Sequence, residues 1–224
     1  MNKKEKWLSG ILKCIVIVSA FTGILLSAGA GRRVFMGGSR VLMYFTIQSN
    51  IAIALICLYG AILLAKGGRA GNGWYVIKFV GTIAITLTGA VFTFILAPVL
   101  GKYAWNLQNV LTHVVVPVAA VVDFFVTGVY SSIKKSSVPL VTLPPLAYVI
   151  YAGIGYIAGW EFSPGVHYPY FFLNWGSPAG AFGFTKELPY MGCVWWILFL
   201  FLMLILTGYV YLVILDVRKK RLSS

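Results

Sequence analysis

Six long apolar runs constrain the fold of this chain more than any other feature of its sequence. Runs such as IAIALICLYGAILLA and VWWILFLFLMLILTGYVYLVIL contain no charged residue, and 60% of the chain is hydrophobic. A helix needs roughly 20 apolar residues to cross the hydrocarbon core of a bilayer. Six stretches meet that requirement, at about 7–27, 41–64, 74–100, 110–131, 138–159 and 191–215.

The pattern within these runs favours helices over strands. The strands of a transmembrane barrel are about ten residues long and alternate in polarity, whereas these runs are longer and do not alternate. We therefore predict an all-α, polytopic integral membrane protein, a six-transmembrane-helix bundle that forms a single domain over residues 1–224. The segment 160–190 is predicted to be a long outer loop between the last two helices.

The lysines and arginines of the predicted loops indicate the orientation of the bundle. With six spans both termini lie on one side, and short cytoplasmic loops carry an excess of Lys and Arg. The side of the termini holds eleven of them: Lys3, Lys4, Lys6, Lys66, Arg69, Lys134, Lys135, Arg218, Lys219, Lys220 and Arg221. The other side holds five: Arg32, Arg33, Arg40, Lys102 and Lys186. We therefore expect both termini to be cytoplasmic.

The net charge of +13 fits the same explanation. Basic loops that set the topology also attract anionic lipid headgroups, so we expect membrane lipids as partners and no nucleic acid. The cysteines, Cys14, Cys57 and Cys193, fall within predicted spans and near opposite surfaces, which supports no disulfide framework. With two histidines and no Walker loop, dinucleotide fingerprint or HExxH motif, we expect neither a cofactor nor a metal site.

Two polar side chains, Thr46 and His113, are predicted to lie near the same bilayer surface. The second and fourth spans both run inward from the outer surface. Thr46 then lies about 8 Å below the outer end of its span, and His113 about 5 Å below the end of its own. Two residues at a common depth are able to meet on facing helices, where they would form a nucleophile and base pair.

Both residues have hydrogen-bonding neighbours. Asn50 shares a helix face with Thr46, and Asn109 shares one with His113, because each pair is four residues apart. Pro117 follows His113 by four residues, frees a backbone carbonyl there and is able to kink the helix. The neighbours that we select as candidates for substrate binding are Gln48, Ser49, Asn50 and Asn109.

A packing role is the alternative for these residues. A threonine in a membrane helix often bonds its own backbone, and an interfacial histidine or asparagine often joins two helices. No lipase elbow GxSxG or other local catalytic signature is present. From the chemistry alone, the packing interpretation therefore takes precedence over the catalytic one.

Asp123 is the only acidic residue well inside a predicted span. It lies about 15 Å deeper than His113, so it is too distant to orient that imidazole directly. Lys13 and Lys78 lie near its depth, so we predict an inner ion pair. A proton or ion relay with the threonines of the third span is the functional alternative.

The outer segment 160–190 is rich in proline, glycine and aromatic residues. An interfacial aromatic belt is the simpler interpretation, because Tyr and Trp favour the headgroup region. The functional alternative is a lid over a lipid-entry cavity, with a polar side chain directed toward the site. The candidates for that side chain are Glu161, His167, Asn174 and Glu187.

Three segments, FTIQSN in the second span, LTHVVVPVAAVVDFF in the fourth and HYPYFFLNW in the outer loop, occur in this order. Together they resemble the androgen-induced membrane proteins and their bacterial relatives, over nearly the whole chain in segment order. Members of that family are six-helix intramembrane hydrolases that use a threonine nucleophile and a histidine. They cleave fatty acid esters of hydroxy fatty acids. By motif, the resemblance implies Thr46 and His113 for these two roles.

The resemblance reverses the preference for a packing role and implies an acyl-transfer mechanism without a cofactor. Gln48, Ser49 or Asn50 would donate to the oxyanion, and Asn109 would orient the imidazole. Arg40 would hold a substrate carboxylate at headgroup level, with a solvated interfacial charge as its alternative. The divergent first helix and the compact middle look like those of a prokaryotic relative, which implies the prokaryotic cell membrane.

Two other classes of function remain open at this point. A small transporter or ion pathway would use Asp123, Lys13 and the threonines of the third span, although the chain shows no repeat symmetry. A non-catalytic lipid-binding membrane protein would use the same cavity without activating Thr46. A reactive hydroxyl is required only by the hydrolase, so an acylating probe distinguishes the three classes.

Overall fold

The computed structural model of the protein describes residues 1–30, 38–68 and 70–223. It is 77% helical, and the described residues form no β-strand, which confirms the all-α prediction. Within this part of the chain, six helices are long and apolar enough to cross a membrane. They are Lys3–Gly29, Phe45–Ala65, Asn72–Tyr103, Leu107–Gly128, Lys135–Ile157 and Cys193–Leu222.

Three of the six spans contain more than one helical element. The α-helices, numbered along the chain, are α1 (Lys3–Ala30), α2 (Phe45–Ala65), α3 (Asn72–Val91), α4 (Ala97–Leu100), α5 (Leu107–Val110), α6 (Val116–Gly128), α7 (Leu143–Ile157) and α8 (Cys193–Ser223). Turns of π-helix join α3 to α4 at Phe92–Leu96 and α5 to α6 at Leu111–Val115. A 3-10 helix, Lys135–Thr142, leads into α7.

The second span begins later than its hydropathy predicts. Residues Gly38–Met43 form a 3-10 helix, and α2 starts at Phe45. Hydropathy does not separate the two elements, because the 3-10 helix is itself mostly apolar. Thr46 is therefore the second residue of α2 rather than a residue about 8 Å below its end. Of the basic residues used to predict the orientation, Arg32, Arg33 and Arg69 lie outside the described residues.

The helices pack so that α1, α2, α3 and α6 surround the polar residues. The helix α1 packs against α2 and α6, α3 packs against the same two helices, and α8 packs against α3 and the 3-10 helix Lys135–Thr142. Large apolar side chains remain exposed along the outer faces of the spans, for example Val18, Leu55 and Leu202. Faces of this kind suit contact with lipid chains.

A cluster of aromatic side chains joins the start of α2 to the outer loop and α7. Tyr44, Phe162 and Phe172 are buried in it. The Tyr170 ring stacks on Phe172 with centroids 5.1 Å apart and meets the edge of Tyr44 at 5.9 Å. Because these rings are large and rigid, the cluster fixes the loop residue Tyr170 against the first turn of α2.

Candidate active site

Thr46 and His113 meet in the half of the bundle that is nearer to the loop 160–190. Thr46 Oγ1 lies 3.3 Å from His113 Nε2. Both residues are buried, with 8% and 7% of their surfaces exposed, so neither side chain is directed to lipid. The two side chains are therefore in contact, at a separation slightly longer than the usual reach of a catalytic base, as is common when no substrate is bound.

Main-chain contacts define which nitrogen of His113 faces Thr46 as an acceptor. His113 Nδ1 lies 3.0 Å from the Asn109 carbonyl oxygen and 3.0 Å from Thr112 Oγ1. A carbonyl oxygen only accepts, so Nδ1 carries the proton of the neutral imidazole. In this tautomer the lone pair of Nε2 is directed at Thr46. A general base requires this tautomer.

The orientation of the imidazole comes from the backbone of Asn109, not from its amide as predicted from the sequence. Asn109 Nδ2 donates to the Ala104 carbonyl at 2.8 Å. On its other side, the imidazole stacks against the Phe92 ring, with centroids 3.9 Å apart. The hydrogen bond and the stacked ring together hold His113, which has no acidic partner in the part of the chain that the structure describes.

His113 lies in the π-helical turn Leu111–Val115, which is followed by Pro117. Pro117 has no N–H to offer the preceding turn, and π-helical turns of this kind recur at functional sites. Gly89 of α3 packs against this turn. A Cβ at that position would lie 2.9 Å from the His113 carbonyl oxygen. The glycine therefore allows α3 to approach the site closely.

The polar residues next to Thr46 use their donors inside the protein. Gln48 Nε2 donates to the Leu42 carbonyl at 3.0 Å. Asn50 Nδ2 donates to the carbonyls of Thr46 and Thr112, at 2.8 and 3.2 Å. The amide donors that we expected at an oxyanion thus already have acceptors. Asn50 Oδ1 is buried and has no hydrogen-bond partner among the described residues, but it is an acceptor and does not stabilise an oxyanion.

Ser49 and Arg40 also have partners. Ser49 Oγ lies 3.0 Å from the Thr46 carbonyl and 2.8 Å from Thr88 Oγ1, a pair that joins α2 to α3. Arg40 forms an ion pair with Glu161 at 3.0 Å, and 40% of the Arg40 side chain is exposed. Exposed pairs of this kind contribute little stability. Arg40 thus contacts the outer loop from the 3-10 helix before α2 but adds little to its stability.

Sequence reasoning missed Tyr170, the loop residue that reaches the site. The Thr46 N–H donates to the Tyr170 hydroxyl oxygen at 3.3 Å, and Thr46 Oγ1 lies 3.4 Å from the same oxygen. Of the four loop residues that we considered for this role, His167 lies with Nδ1 3.1 Å from the Trp160 carbonyl and Glu161 pairs with Arg40. The motif HYPYFFLNW was the available signal, but only the folded loop shows which of its residues turns inward.

An apolar cavity of about 60 Å³ opens next to Thr46. Thr46 and Tyr170 line it together with Leu87 and Leu200. Because most of the lining is hydrocarbon, it favours an apolar chain over a polar group.

Asp123 forms the inner ion cluster that its depth predicts. Lys13 Nζ lies 2.7 Å from Asp123 Oδ1, and Lys78 Nζ binds Oδ2. Ser9 Oγ donates to Oδ1 at 2.6 Å, and Lys78 donates to Thr127 Oγ1 at 2.7 Å. All three ionisable side chains are about fully buried. The cluster joins α1, α3 and α6 and makes no contact with His113.

Comparisons of the chain with protein-family models, with curated proteins and with solved structures found no match. Within residues 1–30, 38–68 and 70–223, no three His, Cys, Asp or Glu side chains are grouped so that they could hold a metal ion. The site is therefore defined by its own residues. It consists of a buried hydroxyl, an imidazole with a defined acceptor nitrogen, a phenol and an adjoining apolar cavity.

Proposed function

We propose that this protein is an intramembrane threonine hydrolase that cleaves lipid esters. The observation that carries the proposal is the contact of Thr46 Oγ1 with His113 Nε2 at 3.3 Å, with Nδ1 of the same ring bonded to a carbonyl oxygen. A hydroxyl becomes a useful nucleophile when an adjacent base removes its proton as it attacks. The resemblance to the androgen-induced membrane proteins supports the same two roles.

The reaction would proceed by acyl transfer. Thr46 Oγ forms a bond with the ester carbonyl carbon while its proton moves to His113 Nε2, and the carbonyl π electrons move to the carbonyl oxygen. Collapse of this intermediate breaks the bond to the alkoxy group, which leaves as an alcohol with the proton from His113. Water, deprotonated by His113, then hydrolyses the acyl-threonine and restores the hydroxyl. The products are a carboxylic acid and an alcohol.

The lining of the cavity favours an apolar acyl chain on the ester. Its walls include Leu87, Val91 and Leu200, which offer no hydrogen bonds to a polar substituent. A membrane location would deliver such substrates directly from the lipid phase. Fatty acid esters of hydroxy fatty acids have the required acyl chain and are the substrates that the family resemblance implies, so we propose them as the substrate class.

Of the two alternative functions, non-catalytic lipid binding would use the same cavity and leave Thr46 unreactive. A transporter that uses Asp123 is less favoured, because Lys13 and Lys78 both bind its carboxylate. A carboxylate that is held by two cations is poorly placed to bind a transported ion. The experiment below distinguishes the hydrolase from both.

We infer from the resemblance that the protein lies in a prokaryotic cell membrane. We also infer that both termini lie in the cytoplasm, because the side of the termini holds eleven basic residues and the other side holds five. The Thr46 site would then face the outer leaflet. Labelling of single-cysteine variants in intact cells with a membrane-impermeant maleimide tests the orientation. Lys4→Cys should be protected and His167→Cys should react, and the opposite pattern would reverse the topology.

The activity itself is tested with purified protein and an acylating probe. Wild-type protein should release fatty acid from a fatty acid ester of a hydroxy fatty acid, and mass spectrometry should find the probe on Thr46. Thr46→Ala should lose both properties and keep its melting temperature in detergent within a few degrees. Equal turnover and equal labelling of the two proteins would rule out the threonine hydrolase and leave lipid binding.

A further inference from the structure

The oxyanion of the proposed reaction needs a donor that the neighbours of Thr46 do not provide. When Thr46 Oγ attacks a carbonyl carbon, negative charge develops on an oxygen one bond beyond that carbon. A donor is effective when it lies about 2.7–3.1 Å from that oxygen. The amides of Gln48 and Asn50 and the hydroxyl of Ser49 are already bonded within the protein.

Tyr170 brings a hydroxyl to this position. Its oxygen lies 3.4 Å from Thr46 Oγ1, so the oxygen of a carbonyl group attacked by Thr46 would lie close to this hydroxyl. The ring is fixed by stacking on Phe172 and by its contact with the edge of Tyr44. A donor held in this way needs no reorganisation when the charge appears.

The surroundings of the phenol favour donation. Burial raises the pKa of the Tyr170 hydroxyl above its ordinary value, so it keeps its proton at neutral pH. The Thr46 N–H, which lies in the first turn of α2, donates to the phenolic oxygen at 3.3 Å. A hydroxyl that accepts one hydrogen bond donates a second one more strongly.

We propose that Tyr170 is a further catalytic residue, whose hydroxyl donates a hydrogen bond to the carbonyl oxygen of the ester as that oxygen becomes negatively charged. The proposal rests on the function proposed above. The phenol keeps its proton throughout, so the balance of the acyl-transfer steps is unchanged. The outer loop thereby completes the site, and the cavity beside Tyr170 receives the acyl chain of the same substrate.

The test is Tyr170→Phe, which removes the hydroxyl and keeps the stacked ring. We expect kcat for a long-chain ester to fall by about 10²-fold, with KM changed by less than threefold, because the hydrogen bond strengthens only in the transition state. The number of active sites that an acylating probe titrates is used to normalise the rates. Wild-type kcat in Tyr170→Phe would overturn the proposal.

Tyr44→Phe is the matched control. Tyr44 belongs to the same aromatic cluster, but its hydroxyl donates to the Phe162 carbonyl at 3.1 Å, away from Thr46. This variant loses a buried hydrogen bond and should melt at a lower temperature with kcat unchanged. If Tyr44→Phe and Tyr170→Phe lose kcat equally, Tyr170 acts only through the packing of the loop, and the catalytic role is rejected.

A sulfur-substituted substrate gives a readout that packing does not affect. Thiocarbonyl sulfur accepts hydrogen bonds poorly, so wild-type protein should prefer an ester over the corresponding thionoester more strongly than Tyr170→Phe does. Equal preference in both proteins would contradict the proposal.

If Tyr170→Phe does not fold, trifluorotyrosine is incorporated at position 170 in its place. A preference for the ester over the thionoester equal to that of wild-type protein would again contradict the proposal. Failure of the hydrolase proposal is distinguishable, because wild-type protein would then be inactive and Thr46 unlabelled.

Discussion

A threonine hydroxyl is a poor nucleophile at neutral pH. At the scale of single residues, its reactivity depends on the one or two side chains that contact it. Here the hydroxyl of Thr46 has an imidazole nitrogen on one side and a phenol on the other, at 3.3 and 3.4 Å. A carbonyl oxygen replaces the acid that usually orients a catalytic histidine. His113 is thus held in the required tautomer without a buried negative charge next to it.

At this scale we predict that Thr46→Ala and His113→Ala each remove most of the ester hydrolysis, by about 10³-fold or more. The hydroxyl and its base act as one unit, so the double variant should be little worse than either single variant. Turnover is measured per folded molecule in detergent. Additive losses in the double variant would show that the two residues act separately.

Thr46→Ser is the sharper comparison for the same pair. It keeps the hydroxyl and should retain measurable turnover and probe labelling, whereas Thr46→Val keeps the shape and should retain neither. A role in helix packing alone would instead make these variants differ in melting temperature and not in turnover.

At the scale of secondary structure elements, two polar contacts align the helices. Ser49 and Thr88 join α2 to α3 near the site, while Asp123 joins α1, α3 and α6 deeper in the bundle. Next to Thr88, Gly89 brings α3 against the backbone of His113. The position of His113 relative to Thr46 therefore depends on α1 and α3 as well as on the two spans that carry these residues.

We predict that Asp123→Asn destabilises the bundle much more than it changes turnover. Breaking a buried pair leaves lysine charges without a counterion, which costs about 3–5 kcal/mol in proteins where it has been measured. The melting temperature in detergent and the turnover per folded molecule are both recorded. Asp216→Asn, an exposed position on α8, is the control and should change neither. Normal stability with abolished turnover in Asp123→Asn would instead favour a relay.

At the scale of the whole molecule, the bundle and the outer loop enclose a cavity that no single element forms. Its walls come from α2, α3, the π-helical turn after α3, α7, the outer loop and α8. Thr46 lies in the first turn of α2, and most of the cavity lining next to it is apolar. In the reaction proposed above, the ester carbonyl lies at Thr46 and the acyl chain lies among these apolar residues.

Filling the cavity should change the preference for chain length. We predict that Leu200→Trp lowers kcat/KM for esters of long-chain acids at least tenfold and leaves a butyrate ester much less affected, because the larger ring occupies the cavity. Leu202→Trp lies on the same helix but is 57% exposed, so it should change neither rate. A uniform loss for all chain lengths in Leu200→Trp would indicate disturbed packing instead.

The sequence by itself determined the all-α class and the six apolar spans, because the length and polarity of each run are fixed by the thickness of the bilayer. It predicted that Thr46 and His113 lie near the same end of the bundle, but it placed Thr46 too deep in its helix. It also determined that Asp123 meets lysines, since a buried carboxylate needs a counterion at its own depth. Only the tertiary structure decided which groups surround the hydroxyl. Tyr170 is 124 residues from Thr46 in the chain. The side chains of Gln48, Asn50 and Asn109 donate to backbone carbonyls, and the positions of those carbonyls are set by the folded structure. Depth is a property of each residue in its own helix, whereas the direction of a hydrogen bond depends on all the helices at once.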